Sequence, residues 1–506
     1  MFAQVIGETT CGIDGVKIVV EVDVTNGLPG FDLVGLPQMS VKESKERVRA
    51  ALRNSDLPFP STHIVVNLAP ADFKKEGSGL DVAIAIGILT SSKFIKQESL
   101  DGKIFVGELS LDGSIKKVPG VLSMIIEAKK SGFKEIYIPF DNANEGNLLH
   151  DIRVFAVKNL NDLVNHLLGD KMLRPLKSEN ILQNAHKDYS IDFSDVKGQL
   201  VARRALEIAA AGGHSILMVG SPGCGKTMLA RRLVTILPPM TEAEALEVTK
   251  IYSIVGLLPS RGKLMLERPF RSPHHSISGS ALIGGGPVPR PGEVTLSHNG
   301  VLFLDELPEF ERYTLEMLRQ PLEDGEVNIS RVRANMSFPS KFLLCAAQNP
   351  CPCGYLGDTL KHCTCKPSQI TQYQRKISGP LLDRFDMQIN LQRVAFKELK
   401  DIEPGEPSEV IRERVVSARE KQVERLEQYG LHCNAQMTRR EVVKFCQLDN
   451  EATKLMERYF AVLQLSARSH DRILKVARTI ADLAGEECIS SKHLSEAIQL
   501  RTSIKS

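Results

Sequence analysis

The segment that decides the fold is Ile216-Leu-Met-Val-Gly-Ser-Pro-Gly-Cys-Gly-Lys-Thr227. Four apolar residues lead into a loop of the pattern G-x-x-x-x-G-K-T, and a predicted helix continues to roughly Leu237. Glycines let backbone N–H groups close around phosphate oxygens, and the start of the helix favours an anion. Lys226 is predicted to contact the β- and γ-phosphates, and Thr227 to place its hydroxyl on Mg²⁺. The predicted nucleotide-binding residues of this loop are Gly220, Ser221, Pro222, Gly223, Cys224, Gly225, Lys226, Thr227 and Met228.

A second segment, Val301-Leu-Phe-Leu-Asp-Glu306, predicts the other half of a nucleotide site. Its four apolar residues predict a buried strand, and its two acids follow at the edge where parallel sheets bind ligands. Asp305 is predicted to hold Mg²⁺ directly or through water, and Glu306 to act as general base on the attacking water. Buried acids without a metal or phosphates would be costly, which disfavours a purely structural role.

Two further segments resemble parts of the nucleotide site in AAA+ ATPases. Ile191-Asp-Phe-Ser-Asp-Val196 resembles the segment that packs on the adenine base, and it would also serve as an N-cap and apolar anchor. Asn349 follows the predicted strand Lys341–Ala347, where the sensor 1 amide of AAA+ proteins contacts the attacking water or the γ-phosphate. The resemblance therefore implies that Val196 binds the base and Asn349 takes part in catalysis.

Two arginines resemble AAA+ residues that complete the site. Gly379-Pro-Leu-Leu-Asp-Arg384 is similar to the arginine-finger segment of the magnesium-chelatase and MCM branch, in which the arginine reaches a neighbouring subunit's γ-phosphate. An ordinary surface ion pair is the alternative for Arg384. Arg468, in Leu465-Ser-Ala-Arg468, resembles sensor 2, with Arg472 as the alternative. A finger that acts in trans requires a closed ring of subunits.

The composition is that of an ordinary globular protein. The 506 residues allow two to four domains at about 150 residues each, and 42% are hydrophobic and 25% charged. A net charge of +3 gives no global attraction to nucleic acid, so such a surface would be local. No signal peptide or membrane-spanning run is evident, and ten cysteines beside a nucleotide loop favour reduced thiols, so the cytoplasm is expected.

The first third predicts a compact α+β domain that ends near Leu168. The predicted strands are 15–24, 31–36, 63–68, 103–106, 115–118 and 135–138. The predicted helices are 40–54, 81–90 and 121–131. The stretches Phe105-Val-Gly-Glu-Leu-Ser-Leu-Asp-Gly-Ser-Ile and Glu76-Gly-Ser-Gly-Leu-Asp resemble the Lon-protease-like fold, a relative of a ribosomal S5 domain.

The peptidase residues of that fold are not in place. Lon peptidases use a serine nucleophile and a lysine base, which must lie within hydrogen-bond distance. The resemblance puts Gly79 where the nucleophile belongs, with Ser78 one residue early, and Leu122 where the lysine belongs. It therefore implies a domain without peptidase activity, with Ser78 acting beside another base as the alternative.

Four cysteines in two pairs predict a metal site. Cys351-Pro-Cys353 and Cys363-Thr-Cys365 offer four soft ligands in one loop, which suits tetrahedral Zn²⁺ in a structural role. The C-x-C spacing is less usual than C-x-x-C, and free thiols or disulfides are the alternative. His274 and His275 lack convergent partners in the sequence, so hydrogen-bonding or interface roles are favoured for them.

The family resemblance rests on motifs across the whole chain. They are Phe270-Arg-Ser-Pro-His-His275, Ala281-Leu-Ile-Gly-Gly-Gly286, Pro291-Gly-Glu293, His298 to Phe310 and Asn349-Pro-Cys-Pro-Cys-Gly354. With them the chain resembles the YifB/ComM family of magnesium-chelatase-like AAA+ ATPases. The resemblance implies a helix-2 insert at about 241–291, a presensor hairpin around 325–339 and a helical lid from about Pro407. For ComM proteins it implies hexameric DNA helicases that drive branch migration during natural transformation.

The hairpin segment offers its own argument for DNA. Gly325-Glu-Val-Asn-Ile-Ser-Arg-Val-Arg333 alternates as a strand and puts Arg331 and Arg333 on one side, where they would hold phosphates without sequence preference. A solvated hairpin with two ordinary arginines is the alternative. The expected partners are other copies of the chain in a hexameric ring, single-stranded and branched DNA and recombination proteins, with no membrane.

The expected architecture is an α/β AAA+ P-loop core with a helical lid, preceded by an α+β Lon-protease-like (ribosomal S5 domain 2-like) domain. The predicted boundaries are 1–168 for the Lon-like domain, 169–187 for a linker, 188–400 for the core and 401–506 for the lid. ATP, Mg²⁺ and a structural Zn²⁺ are the expected cofactors. The alternatives to a branch-migration helicase are a metal-chelatase ATPase subunit and an ATP-dependent protease or unfoldase.

Overall fold

A computed structural model describes residues 1–71, 75, 77–149, 151–177, 190–258, 264–286, 289–331, 334–358, 360–393, 405–463 and 466–502. Contacts divide the chain into two compact units. The first comprises Met1–Ala185, Glu242–Met265 and Asn328–Phe338, and the second comprises His186–Thr241, Leu266–Val327 and Pro339–Ser506. The predicted domain boundaries at 168, 187 and 400 stay predictions.

The elements are numbered in chain order. The strands are β1 Phe2–Cys11, β2 Asp14–Thr25, β3 Gly30–Val34, β4 His63–Ala69, β5 Lys103–Phe105, β6 Glu108–Leu109, β7 Ile115–Lys116, β8 Glu135–Pro139, β9 Arg153–Val157, β10 Ile216–Gly220, β11 Phe270–Arg271, β12 Gly284–Gly285, β13 Arg290–Pro291, β14 Val301–Leu304, β15 Glu326–Arg331, β16 Ala334–Pro339, β17 Leu343–Gln348 and β18 Met387–Leu391. The helices are α1 Met39–Lys42, α2 Ser44–Asn54, α3 Asp81–Ser91, α4 Val121–Lys130, α5 Ala143–Gly146, α6 Leu160–Leu168, α7 Leu200–Gly212, α8 Lys226–Ile236, α9 Glu242–Ile254, α10 Gly279–Ile283, α11 Glu293–Leu296, α12 Arg312–Glu316, α13 Arg319–Asp324, α14 Pro367–Gln374, α15 Gly379–Leu382, α16 Ser408–Leu426, α17 Arg439–Phe445, α18 Asn450–Leu463, α19 Ala467–Ala484 and α20 Ser491–Thr502.

The first unit is built on a seven-stranded sheet in the order β3-β4-β2-β1-β5-β8-β9. The pairs β1–β2 and β2–β4 are antiparallel, and the pairs β1–β5, β5–β8 and β8–β9 are parallel. Because side chains alternate along a strand, Val5 and Glu8 of β1 point to opposite faces. The sheet therefore separates two hydrophobic cores, one with α3 and one with α4.

Helix α9 belongs to this first unit although it lies after the phosphate loop in the chain. It packs against α4, and the hydroxyl of Ser253 donates to the carboxylate of Glu145. Lys250 pairs with Asp14 in the same unit. Part of the predicted helix-2 insert is therefore anchored on the N-terminal sheet.

Glu8 is a buried acid on the α4 side of this sheet. Its side chain is fully buried, and within the described residues neither carboxylate oxygen has a hydrogen-bond partner. Burial, with the nearby charge of Glu127, raises the pKa of Glu8 to about 9. The folded protein thus keeps a proton that the unfolded chain releases above its ordinary pKa of 4.5, so stability falls as pH rises from there toward 9.

Replacing this acid with its neutral amide should therefore stabilise the protein. At pH 8 we expect Glu8→Gln to raise the melting temperature by about 10 °C, because about 5 kcal/mol of protonation cost, about 1.36 kcal/mol for each pH unit above 4.5, disappears. The gain should shrink toward pH 5, as differential scanning fluorimetry across that range can measure. The exposed substitution Glu98→Gln is the control. A gain that does not change with pH would contradict the buried, protonated state of Glu8.

The second unit contains a five-stranded parallel sheet in the order β11-β14-β17-β10-β18. The residues of β10 and β14 are all buried, as the apolar runs predict for a sheet covered on both faces. Strands β14, β17 and β10 are neighbours, and they run in the same direction. Their carboxyl ends therefore bring the segments after Leu304, Gln348 and Gly220 to one edge of the sheet.

The C-terminal helices of the second unit share its hydrophobic core. Helix α16 packs against α7, α8 and α19, and a single cluster of buried side chains extends from Phe193 to Leu500. Asp482 of α19 accepts from Arg425 at 2.7 Å and from Arg478 at 3.1 Å, which ties α16 to α19. Among the described helices, none is both long and apolar enough to cross a membrane.

Candidate nucleotide-binding site

The phosphate loop leaves β10 and enters α8 at the edge where the three strands end. Gly223 and Gly225 have φ of 80° and 91°, a left-handed conformation that glycine adopts without strain. A Cβ at Gly220 would lie 2.7 Å from the carbonyl oxygen of Leu391, so glycine is needed there for close packing. The backbone is therefore shaped as a phosphate cradle, with α8 beginning at Lys226.

The side-chain ammonium of Lys226, the first residue of α8, lies inside this loop. Its Nζ donates to the carbonyl oxygens of Gly220 and Ser221 at 2.6 and 3.1 Å, and to Oδ1 of Asn349 at 3.2 Å. Phosphate oxygens would replace these carbonyls as acceptors, because a charged acceptor binds an ammonium more strongly than a neutral one. The contact also joins Lys226 to the predicted sensor 1 residue, so both lie at one site.

The predicted Mg²⁺ ligands are in direct contact. Thr227 Oγ1 donates to Asp305 Oδ2 at 2.7 Å, and the backbone N–H of Glu306 donates to Asp305 Oδ1 at 2.9 Å. A hydroxyl and a carboxylate are the hard oxygen donors that Mg²⁺ prefers, and it keeps waters and nucleotide oxygens as its other ligands. These residues fit Mg²⁺-ATP, which supplies charge neutralisation at the phosphates when bound.

Glu306 has a neighbour that the sequence did not assign to the site. Its side chain is half exposed, and Nδ1 of His275 lies 3.5 Å from its Oε2. Glu306 has a left-handed φ of 52°, which turns it away from the line of β14. The sequence favoured hydrogen-bonding or interface roles for the adjacent pair His274-His275. The parallel pairing of β11 with β14 is what brings His275 beside the predicted base.

The segment predicted to contact adenine, Ile191–Val196, lies near the beginning of the second unit and contacts helix α8. Val196 is fully buried and follows a short 3₁₀ turn, Phe193–Asp195, that Asp192 caps. Arg232 of α8 donates to Asp195 at 2.7 Å and to the carbonyl oxygen of Asp192 at 2.7 Å. The segment is thus tied to the helix that follows the phosphate loop. Met228, on that helix, is partly exposed.

The two predicted catalytic arginines lie in a separate cluster of arginines. Arg384 is buried, and its guanidinium donates to the carboxylate of Glu323 and to the carbonyl oxygen of Pro380. Burial lowers the pKa of Arg384, and the positive charges of Arg319, Arg472 and Arg468 lower it further. Among the described residues, the guanidinium of Arg384 hydrogen-bonds to Glu323 and Pro380, and not to the phosphate loop. Arg468 itself is exposed at the start of α19.

The four predicted zinc ligands converge. Their Sγ atoms lie within 4.8 Å of one another, and Cys351, Cys353 and Cys363 are separated by 3.4 to 3.6 Å. Tetrahedral zinc with Zn–S near 2.3 Å would set these separations at about 3.8 Å. Hydrogen bonds from the backbone N–H of Tyr355 and of Thr364 help lower the pKa of Cys353 to about 6, which favours a thiolate. The residues fit a closed four-thiolate site.

The residues predicted to touch DNA are only partly described. Strands β15 and β16 form a two-stranded sheet, so the hairpin implied for this segment is present. Arg331 ends β15, and Arg333 lies outside the described residues. Their role stays a prediction.

The N-terminal unit does not assemble a Ser–Lys pair at the predicted positions. The Ser78 hydroxyl donates to the carboxylate of Glu108, and Leu122 is fully buried. An acid beside the serine and an apolar side chain at the lysine's place are consistent with the expected lack of peptidase activity, which stays a prediction.

The parallel sheet and the site at its edge define a class of protein. A phosphate loop after β10, an Asp–Glu pair after β14 and an asparagine after β17, the strand between them, are the parts of an AAA+ P-loop ATPase.

Comparison with known proteins identifies the family within this class. Residues 192–399 match the family model described as magnesium chelatase, subunit ChlI, residues 20–142 match subunit ChlI of Mg-chelatase, and residues 405–501 match the ChlI C-terminal model. The chain is 44% identical to competence protein ComM of Haemophilus influenzae over 99% of this chain and 98% of that protein. It is also 44% identical to YifB of Escherichia coli over 97% of this chain and 95% of that protein. The chain belongs to the YifB/ComM family of magnesium-chelatase-like AAA+ ATPases. A shorter match, 30% identical over 129 residues, relates 25% of the chain to Lon protease 2 of Bacillus subtilis.

Proposed function

We propose that this protein is a hexameric, ring-forming ATPase that moves along DNA and drives branch migration of recombination intermediates in natural transformation. The full-length similarity to a competence protein supports the process. The observation that carries the ring is the division of the site. Lys226, Thr227, Asp305 and Asn349 come together, while Arg384 is held elsewhere in the same unit.

The separation of Arg384 from the phosphate loop suggests how neighbouring subunits would work together. A nucleotide site that lacks its arginine is completed only when a second subunit presents its own arginine cluster. Glu306 would then take the proton of the attacking water, and Asn349 would orient that water. Arg384 would leave Glu323 for the γ-phosphate, where it neutralises the developing charge. Hydrolysis in one subunit would thereby change the contact with its neighbour.

In the proposed ring, the β15–β16 hairpin of each subunit contacts the DNA. Arg331 and Arg333 would hold backbone phosphates, which suits a motor because phosphate contacts carry no base sequence. Cytoplasmic location, recombination proteins as partners and a structural Zn²⁺ at the four cysteines complete the proposal. The apolar Leu122 and the pairing of Ser78 with Glu108 make an ATP-dependent protease a weaker candidate.

The test is ATPase activity measured with single-stranded, duplex and junction DNA. We expect junctions and single strands to stimulate turnover about tenfold, with stimulation falling steeply as salt rises. The same protein should convert labelled three- and four-way junctions to products, and Lys226→Ala is the inactive control. If no DNA changes the rate of ATP turnover and no junction is converted to products, the proposal is contradicted. The alternative of a metal-chelatase ATPase subunit would then be favoured.

A further inference from the structure

The described residues of the loop between the second and third cysteine, 354–358 and 360–362, lie beside the phosphate loop. Gly354 packs so closely that a Cβ there would lie 2.6 Å from Cδ of Pro222. Its φ of 85° is the left-handed conformation that glycine adopts freely. The backbone of Gly354, next to the four-cysteine cluster, therefore lies directly against the ring of Pro222 in the phosphate loop.

Asp358 makes the second connection. Its side chain is only 1% exposed, although it sits on a surface loop. It accepts from the backbone N–H groups of Leu360 and Lys361 at 2.8 and 3.0 Å. A hydrogen bond from the side chain of Ser221 is the largest of the interactions that hold the pKa of Asp358 near 2. One carboxylate thus joins its own loop to a residue of the phosphate cradle.

Arg393 makes the third connection. Its Nη2 donates to the carbonyl oxygen of Pro222 at 2.7 Å, and its Nε lies 3.4 Å from Asp358 Oδ2. The same guanidinium lies 5.5 Å from the ring centroid of Tyr355, where a cation is attracted to the aromatic face. Arg393 therefore links Tyr355 and Asp358 of the cysteine loop to Pro222 of the phosphate loop.

Little apolar burial holds this loop in place. Leu356 and Leu360 are 39% and 66% exposed, so neither of these two apolar side chains of the described loop belongs to the core. Fixing a short loop in one conformation costs conformational entropy, and little apolar burial offsets that cost here. A metal bound by four thiolates from the two ends of the loop would hold it in that conformation. Metal binding would in turn fix Asp358 and Gly354 against Ser221 and Pro222.

We propose that the four-cysteine loop is a metal-dependent strut, in which bound zinc sets the nucleotide affinity by holding Ser221 and Pro222 in their phosphate-binding conformation. The inference rests on the proposed ATP site and on zinc at the cysteines. Pre-organisation is the physical basis, because a loop ordered before binding has less freedom to lose when phosphate arrives. The strut is a positioning device, and its residues need not touch the nucleotide.

The test compares zinc content with nucleotide affinity in the full-length protein. Zinc is measured by elemental analysis, and the dissociation constant of a fluorescent ATP analogue by titration. Removing zinc with a thiol-reactive mercurial, followed by reductant and chelator, should weaken binding about tenfold, and added Zn²⁺ should restore it. Unchanged affinity after zinc removal, or a protein that neither contains nor binds zinc, would overturn the inference.

A variant that leaves every thiol intact separates the strut from general unfolding. Asp358→Ala should keep one zinc per chain and still bind the analogue about tenfold more weakly. Combining it with Cys363→Ser should give no further loss, because both break one connection. Asp141→Ala and Cys488→Ser, at exposed positions, are the matched controls. Native affinity in Asp358→Ala would overturn the strut even if zinc is bound.

The outcomes separate this inference from the proposed function. An untreated protein that fails to bind the analogue would contradict the nucleotide site and the motor together. A protein whose affinity follows its zinc, but which moves no DNA junction, would support the strut and contradict the helicase.

Discussion

Glu306→Gln should bind ATP as tightly as the native protein and hydrolyse it about a thousandfold more slowly. An amide has the shape of the carboxylate but cannot accept the proton of the attacking water. Glu306 is not a predicted contact of the phosphates, and the Mg²⁺ position is formed by Thr227 and Asp305, 2.7 Å apart. Binding and chemistry should therefore separate in this variant, as titration of a fluorescent ATP analogue and a phosphate-release assay would measure.

Glu309→Gln is the matched control for this substitution. Glu309 lies three residues further on and forms a surface pair with Lys376 at 3.2 Å, so its neutralisation removes the same charge outside the site. Its turnover should stay near native. Normal turnover in Glu306→Gln would contradict the general-base assignment and direct attention to other groups near the water.

The sequence predicts which residues form the nucleotide half of the site, because motif and topology agree there. Two apolar strands followed by polar residues predict which side chains meet, since parallel strands end at one edge. In the structure Lys226 contacts Asn349 and Thr227 contacts Asp305, while the roles of these residues stay predictions. Contacts made by loops that do not directly follow one of these strands could not be predicted in this way. His275 and Asp358 reach the site from loops whose paths depend on tertiary packing.

The N-terminal unit shows a different limit of prediction. The strands at 15–24, 63–68 and 135–138 were expected, but β1 and β9 were not. Gly7, Glu8 and Thr9 of β1 are buried in succession, so the strand lacks the alternation of apolar and polar residues that identifies a strand with one exposed face. The helix expected over 40–54 is divided into α1 and α2 on either side of Glu43. Propensity alone does not place such a break.

The second large effect concerns the arginine that the site lacks. Arg384→Ala should reduce ATP turnover at least a thousandfold while ATP binding is retained, because an arginine at the γ-phosphate acts mainly on the transition state. Arg375→Ala, at an exposed position on the same segment, is the matched control and should stay near native. Arg384 also pairs with Glu323, so thermal unfolding must be compared, and Arg384→Lys, which keeps the charge but loses the fork, serves as a second variant.

Mixing two inactive variants then decides whether Arg384 acts between subunits. Lys226→Ala lacks a working phosphate loop and keeps its arginine, whereas Arg384→Ala has the opposite defect. In randomly mixed rings at equal amounts, about a quarter of the interfaces join an intact loop to an intact arginine, so turnover should recover toward that fraction. Recovery requires Arg384 to exchange Glu323 for the neighbour's phosphate, a stronger acceptor because it carries more charge. Mixtures as inactive as either parent would place Arg384 in its own subunit's site and contradict the divided site on which the ring is proposed.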